Sequence, residues 1–241
     1  MRAETRHQLK QDRFSRATFG AAEATVHWSV EHKSKLITGA VVLAVVLGVA
    51  FGGWYYLNGQ DQKASVELNQ AVRALDTPLR PAGSPAEPDF PSFTSAKERA
   101  TEAHKRFQAV IDKYPHTRTA EFSRYFLGLT SQQVGDNAAA ERELKAVASS
   151  RNDDLAALSK MALAGVYRDT GRTKEAIDLY NQLIAKPARS VGKTTAQVEL
   201  AETYQSSQQA AEAKRIYEQI QKENPASEIA QFATQKLQAL K

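Results

Sequence analysis

The stretch LAGVYRDTGRTKEAIDLYNQL, residues 163–183, decides the fold of this chain. Two further stretches of the 241-residue sequence align with it: LGLTSQQVGDNAAAERELKAV starts at Leu127, and LAETYQSSQQAAEAKRIYEQI starts at Leu200. The equivalent leucines are 36 and 37 residues apart. A fourth stretch, AHKRFQAVIDKYP from Ala103, matches only the second half of the unit. Self-similarity at such a period is typical of an architecture built from stacked supersecondary units.

Small and large side chains recur at fixed places in each copy. The positions where two antiparallel helices would touch carry Gly or Ala: Gly128, Ala164 and Ala201 in the first half, and Ala140, Ala176 and Ala213 in the second. The positions that would fill the groove between neighbouring pairs carry large residues: Phe107, Leu144, Tyr180 and Tyr217. Small residues let two helices approach closely, and large ones fill the space that remains. Each unit is therefore predicted to be a packed pair of helices.

Glycine marks the turn inside the unit. Gly135 and Gly171 follow the leading leucine by eight residues, where the backbone is expected to need a positive φ. Gln208 holds that place in the last copy, so its turn is expected to differ or to be less tight.

These residues resemble the tetratricopeptide repeat, whose signature is Leu-Gly, a Tyr three residues later, then Ala, an aromatic residue and Pro at fixed offsets. The copy that starts at Leu163 continues with Ala164, Tyr167, Ala176 and Tyr180. The first copy departs from the signature, with Ser131 for the Tyr and Leu144 for the aromatic residue. The resemblance implies an all-α fold. We expect a single transmembrane helix followed by a helical solenoid of about three to four helix pairs and a C-terminal cap helix.

The predicted membrane anchor is the run Leu36–Leu57, which has 22 residues and no charged side chain. As a helix it would be about 33 Å long, against a hydrocarbon core of about 30 Å. A cleaved secretory signal is the alternative. Its apolar stretch is typically about 7–15 residues behind a short leader. Because 35 residues precede the longer run in this chain, an uncleaved anchor is favoured.

The charges that flank this run predict its orientation. Seven Lys or Arg residues precede it, and only two, Lys63 and Arg73, stand in the 20 residues after it. The positive-inside bias places the N-terminus in the cytoplasm and the C-terminal bulk across the inner (cytoplasmic) membrane, in the periplasm or another extracytoplasmic space. Residues 1–35 carry a net charge of +3 and the remainder only +2, so the basic balance does not indicate a nucleic-acid-binding face.

Prolines complete the domain division, since five of the eight lie between residues 77 and 93 and no helix tolerates that density. We therefore divide the chain into a basic cytoplasmic arm (1–35), the transmembrane helix (36–57), a first soluble helix (58–76), a Pro-rich linker or loop (77–93) and the repeat domain (94–241). The first soluble helix is expected at 61–76, after a break that follows the anchor.

The whole layout resembles the YfgM-like family of ancillary SecYEG translocon subunits. The resemblance rests on a Gly-rich anchor that closes on an aromatic cluster, here Gly53, Trp54, Tyr55 and Tyr56. It implies a periplasmic repeat domain that assists exported client proteins beside the SecYEG translocon, with a membrane-bound peptidyl-prolyl isomerase as a partner. The alternative is a structural scaffold subunit of a cell-envelope assembly that binds no clients.

The first helices of successive units line the concave face of such a solenoid. Counting from the leading leucines assigns these residues to that face: Phe122, Tyr125, Leu129 and Gln132; Leu158, Met161, Gly165 and Arg168; Thr195, Val198, Glu202 and Gln205. The N-terminal end of this set is apolar and could bind an extended or helical peptide. Within the anchor, Gly48 and Gly52 have the spacing that lets two membrane helices touch.

The residues favour no catalytic chemistry. The sequence has no cysteine, no HExxH motif and no arrangement of nucleophile, base and orienting group. The segment Pro187–Thr194 imitates a phosphate-binding loop, but it lacks the first Gly and no strand is predicted before it. We expect neither an enzyme nor a cofactor, metal, nucleic-acid or small-molecule site.

Overall fold

A computed structural model describes residues 32–81, 83, 92–223 and 225–240. Most of the predicted cytoplasmic arm and most of the Pro-rich segment lie outside these residues. Within the described part the structure is helical and has no strand. One isolated parallel bridge joins Leu79 to Phe93, where Arg80 N donates to the Phe93 carbonyl at 2.8 Å. The all-α prediction is confirmed.

Nine helices occupy the described residues. They are α1 (Lys33–Asp76), α2 (Ala96–Lys113), α3 (Arg118–Val134), α4 (Asn137–Ala148), α5 (Asp153–Asp169), α6 (Thr173–Ala185), α7 (Lys193–Ser206), α8 (Ala210–Glu223) and α9 (Glu228–Ala239). Polar side chains start five of them, because Ser95, Thr117, Asp136, Asn152 and Ser227 each accept a hydrogen bond from a free N–H of the first turn.

Helix α1 is continuous for 44 residues, so the predicted break between an anchor helix and a first soluble helix is wrong. The expected break falls at residues 58–60, which include Gly59, but a helical glycine costs only about 1 kcal/mol. Farther along α1, Ala64, Ala71 and Ala74 are fully buried, and this packing stabilises the helix beyond the apolar run.

The chain divides into two compact units, Met1–Tyr56 and Leu57–Lys241. In the described part of the first unit, the apolar side chains of α1 are exposed, including Val49, Phe51 and Trp54. This helix is long and apolar enough to span a membrane, a test that the core helix of a soluble protein or a signal sequence can also pass.

The second unit is built from antiparallel helices whose ends are tied together by hydrogen bonds. At one end, Thr119 N donates to Asp61 Oδ1 at 2.9 Å and Ser150 Oγ donates to Glu121 at 2.9 Å. We call this the anchor end, because it holds the start of the unit at Leu57. The opposite, far end carries the turns inside the repeat units, and Gln132 bonds to Asp169 there at 2.9 Å.

Side-chain size sets the spacing of the helices, as predicted. A Cβ at Gly128 would lie 2.6 Å from Leu144 Cγ, so only glycine allows α3 to approach α4 this closely. Leu144, Tyr180 and Tyr217 are all at most 1% exposed. They belong to one continuous core that runs from α4 to α9.

The three turns at the far end have the same backbone conformation. Gly135, Gly171 and Gln208 have φ values of 95°, 76° and 62°. In each turn the following N–H bonds to a carbonyl five residues back, as Gln209 N does to Tyr204 O at 2.8 Å. The expectation that the Gln208 turn differs is therefore wrong. Glutamine adopts the left-handed conformation that glycine adopts in the other copies, at a steric cost.

Candidate functional site

The candidate site is the set of predicted concave-face residues on α3, α5 and α7, which we call the inner face. Its members are Phe122, Tyr125, Leu129, Gln132, Leu158, Met161, Arg168, Val198, Glu202 and Gln205. Phe122 is exposed and the other nine are half-buried. Gly165 on α5 is also half-buried, and Thr195 on α7 is exposed.

The N-terminal part of the inner face is apolar. Phe122 on α3 keeps 38% of its surface exposed, although it is a large hydrophobic residue. One turn later, the Tyr125 ring packs edge-on against Phe126, with 5.3 Å between the ring centroids. On the neighbouring helix α5, Leu158 and Met161 pack partly against the core and remain partly accessible. The N-terminal part of the inner face thus leaves apolar surface accessible.

Three polar members of the inner face contact other residues of the same chain. Gln132 Nε2 donates to Asp169 at 2.9 Å, which joins α3 to α5. Arg168 donates to Glu199 at 2.9 Å, which joins α5 to α7. Lys236 donates to Glu202 at 2.8 Å, which joins α7 to α9.

We call these three contacts the inter-repeat pairs. The sequence pattern predicts Gln132, Arg168 and Glu202 as partner-binding residues but does not predict the groups that they contact, which are Asp169, Glu199 and Lys236. No local sequence signal marks these contacts, because each of them depends on how neighbouring helix pairs stack. Each pair is half-exposed and stabilises the stacking of neighbouring repeats only modestly.

Two tyrosines lie behind the polar part of the inner face. Burial raises the pKa of Tyr180 to about 12 and the pKa of Tyr217 to about 12. The carboxylate of Glu199 adds to both shifts, since a phenolate beside it would be repelled. Both phenols are therefore neutral at physiological pH. Their buried rings fill space between the helix pairs.

The glycines of the anchor are exposed along one side of α1. A Cβ at Gly48 or at Gly52 would meet nothing within 4 Å. The predicted contact between these glycines and a second membrane helix stays a prediction.

The segment Pro187–Thr194 covers most of the connection between α6 and α7 and the first two residues of α7. Asp154 occupies the position that an anion would need, because its carboxylate accepts Ser190 N at 3.1 Å and Arg189 Nη2 at 3.0 Å. The hydrogen bond from Ser190 N lowers the pKa of Asp154, so this carboxylate stays ionised. The connection therefore binds a side chain of its own protein and lies between two helices, as an inter-repeat turn does.

Within the residues that the structure describes, no three His, Cys, Asp or Glu side chains come together as a metal site would require. His104 on α2 is half-buried. Its Nδ1 lies 3.5 Å from Thr130 Oγ1 and 3.4 Å from Ser131 Oγ, so it contacts hydroxyl groups of α3.

Antiparallel helix pairs, small residues at the contact inside each pair and one core shared between pairs define a helical-repeat solenoid. A family model described as a tetratricopeptide repeat-like domain matches residues 26–241. The chain belongs to this family. Its repeats indicate a protein–protein interaction module, and the fold is typically a non-catalytic scaffold.

Among solved structures, the chain is similar to the crystal structure of the "putative kinesin light chain nearly identical TPR-like repeats" of Podosopora anserina. The TM-score is 0.57 at 18% sequence identity, and the match covers 75% of this chain and 86% of that chain. This likeness shows the fold alone. A search of curated proteins finds no match.

Proposed function

We propose that this chain is a membrane-anchored interaction module whose inner face holds apolar segments of other proteins. The main observation in support of this proposal is that Phe122 is exposed and lies beside half-buried Tyr125 and Leu129 on one face of α3. Apolar residues that a repeat surface leaves accessible are suited to an amphipathic or extended peptide. Gln132, Arg168 and Glu202 of the inner face pair with other residues of the chain, so we expect the binding energy to come mainly from the apolar part.

The membrane anchor is part of the proposal. The run Leu36–Leu57 lies in a helix of sufficient length, and in the described part of the chain its side chains have no protein core around them. With seven basic residues before it and two after it, the repeat domain is expected on the outer side of the inner membrane. Such a domain would meet polypeptides as they leave the membrane.

The client class follows from this placement and from the resemblance to ancillary translocon subunits. We propose that the clients are exported proteins which expose apolar segments beside the Sec translocon before they fold, and that a membrane-bound peptidyl-prolyl isomerase works on the same clients. Met161 supports a broad client range, because its flexible thioether side chain adapts to differently shaped ligands.

The test is suppression of aggregation by the full-length protein in lipid nanodiscs, with an unfolded exported protein as the client. Full burial of a Phe side chain stabilises an interface by about 1.5–3 kcal/mol. Since 38% of Phe122 remains exposed, binding can add roughly 1 kcal/mol, and Phe122→Ala should weaken client binding about fivefold. Phe122→Ala combined with Tyr125→Ala should weaken it further.

Val66→Ala is the matched control, because Val66 on α1 is 58% exposed and lies outside the inner face. The control should bind clients like the unchanged protein, and circular dichroism should show that all variants are folded. Unchanged client binding by a folded double variant would refute the proposed use of the inner face. Copurification with one fixed complex, without suppression of aggregation, would favour a structural scaffold subunit instead.

A further inference from the structure

The start of α3 is fixed close to the end of the apolar run. Leu57 ends that run, and Asp61 follows four residues later in the same helix. Asp61 Oδ1 accepts the backbone N–H of Thr119 at 2.9 Å, and the Asp61 carbonyl lies 3.5 Å from Thr119 Oγ1. Four helical residues rise about 6 Å, which is close to the thickness of the polar zone on one side of a bilayer. The first turn of α3 therefore lies within about one headgroup layer of Leu57.

The residues around this contact are exposed. We call Lys63, Pro115, His116 and Arg118 the membrane-proximal patch, and each has an exposed side chain. Within the described part of the chain, neither Lys63 nor Arg118 makes a salt bridge or a side-chain hydrogen bond. Their charged groups are therefore available to a ligand outside the protein.

The carboxylates nearest the patch, in contrast, have donors within the protein. Asp61 accepts Thr119 N, Glu67 pairs with Lys113 and Tyr114, and Glu121 accepts Ser150 Oγ. The hydrogen bond from Lys113 also lowers the pKa of Glu67, so that this pair stays ionised. These carboxylates therefore have hydrogen-bond partners within the protein, whereas Lys63 and Arg118 have none among the described residues.

We propose that the membrane-proximal patch lies against anionic lipid headgroups, where Lys63 and Arg118 bind phosphate oxygens. Arg118 presents a planar fork of donors that suits phosphate, and Lys63 presents a compact point charge. The contact restrains the tilt of the repeat domain above the bilayer and keeps the far end of the helix pairs away from it. The inference rests on the proposed membrane anchor but not on the proposed client binding.

The two ends of α4 provide matched reporters for this contact. Because the natural sequence has no cysteine, a single cysteine can be labelled with a fluorophore in the full chain. Ser149→Cys places the label at the anchor end, and Ala138→Cys places it at the far end, with both positions exposed. The labelled proteins are reconstituted into phosphatidylcholine vesicles with or without about a third phosphatidylglycerol, and a quencher is attached to the lipid headgroups.

In anionic vesicles the Ser149→Cys label should be quenched strongly and the Ala138→Cys label weakly. The difference should shrink in neutral vesicles and at high salt, where surface charges are screened. Each basic residue near an anionic surface strengthens association by about fivefold, so Lys63→Glu with Arg118→Glu should lower the ratio of docked to undocked protein by about 25-fold or more. Lys97→Glu with Lys174→Glu is the control, because it makes the same charge change at exposed far-end positions.

Equal quenching at the two ends in anionic vesicles would overturn the proposal. Strong quenching of the anchor-end label that persists in the Lys63→Glu, Arg118→Glu variant would also overturn it. The same holds if the control variant Lys97→Glu, Lys174→Glu loses quenching to the same extent. Flotation of the vesicles tests the anchor separately, because a chain that does not float with lipid contradicts both the anchor and this contact. Client binding does not enter the measurement, so its failure leaves these outcomes unchanged.

Discussion

Exchange of two glycines for alanine should move stability in opposite directions. Gly128 and Gly165 both lie inside first helices of repeat units, where glycine costs about 0.5–1 kcal/mol relative to alanine. At Gly165 a Cβ would meet nothing within 4 Å. Gly165→Ala should therefore stabilise the protein by about that amount. At Gly128 the new methyl would lie 2.6 Å from Leu144 Cγ and 2.8 Å from Cδ2.

Leu144 cannot move away easily, because its side chain is fully buried. Overpacking of a core costs about 1–3 kcal/mol, so Gly128→Ala should have a net cost of roughly 1–2 kcal/mol after the gain in helix propensity. For a domain of this size 1 kcal/mol shifts Tm by about 2–4 °C. Thermal unfolding followed by circular dichroism should thus separate Gly128→Ala from Gly165→Ala by several degrees.

A double-mutant cycle with Leu144→Ala identifies the cause of the loss. Alone, Leu144→Ala should cost about 2–5 kcal/mol through the cavity that it leaves. In the double variant the methyl introduced by Gly128→Ala has room, so the combined cost should fall below the sum of the single costs by about 1 kcal/mol or more. Additive costs, or a Gly128→Ala protein as stable as Gly165→Ala, would contradict the close approach of α3 to α4.

Three further predictions concern the turns, the charges and the anchor. Gln208→Gly should raise the free energy of unfolding by about 0.5–1 kcal/mol, because relief of the left-handed strain exceeds the added chain entropy; an unchanged or lower Tm contradicts this. Lys145 and Arg172 lower the pKa of Glu141 from 4.5, so its stabilising contribution is present above about pH 4.5 and is lost as pH falls through the lowered folded value. The unchanged protein should accordingly lose stability more steeply in acid than the Glu141→Gln variant, as measured by urea unfolding at several pH values. An equal loss of unfolding free energy with falling pH in the two proteins would refute the contribution of Glu141. Gly48→Ile with Gly52→Ile should reduce cross-linking between membrane helices, and unchanged cross-linking in membranes removes these glycines as a contact.

The repeat architecture could be predicted from the sequence because its determinants are local and periodic. Leucines 36 and 37 residues apart and small residues at fixed offsets specify helix pairs before any contact is known. The contact between Gly128 and Leu144 was not predicted, because the pattern placed Gly128 inside a helix pair and Leu144 in the groove between neighbouring pairs.

The uses of the polar side chains could not be predicted in this way. Gln132 and its acceptor are 37 residues apart, and Arg168 and its acceptor are 31 apart, so each contact depends on how neighbouring units stack. A sequence shows which face a residue occupies but not whether a neighbouring unit already satisfies it. The continuity of α1 also depends on contacts that the sequence does not show. Packing of the buried alanines of α1 outweighs the tendency of Gly59 to break the helix.

Site-specific photo-cross-linking in living cells tests client binding at the inner face most directly. A photoreactive phenylalanine analogue replaces Phe122 on the inner face or, as a control, the exposed Asn181 on α6. Mass spectrometry then identifies the adducts. We expect the analogue in place of Phe122 to form adducts with many different exported proteins and the analogue in place of Asn181 to form few. Equal adducts at both positions, or a single fixed partner at Phe122, would contradict binding of clients at the inner face.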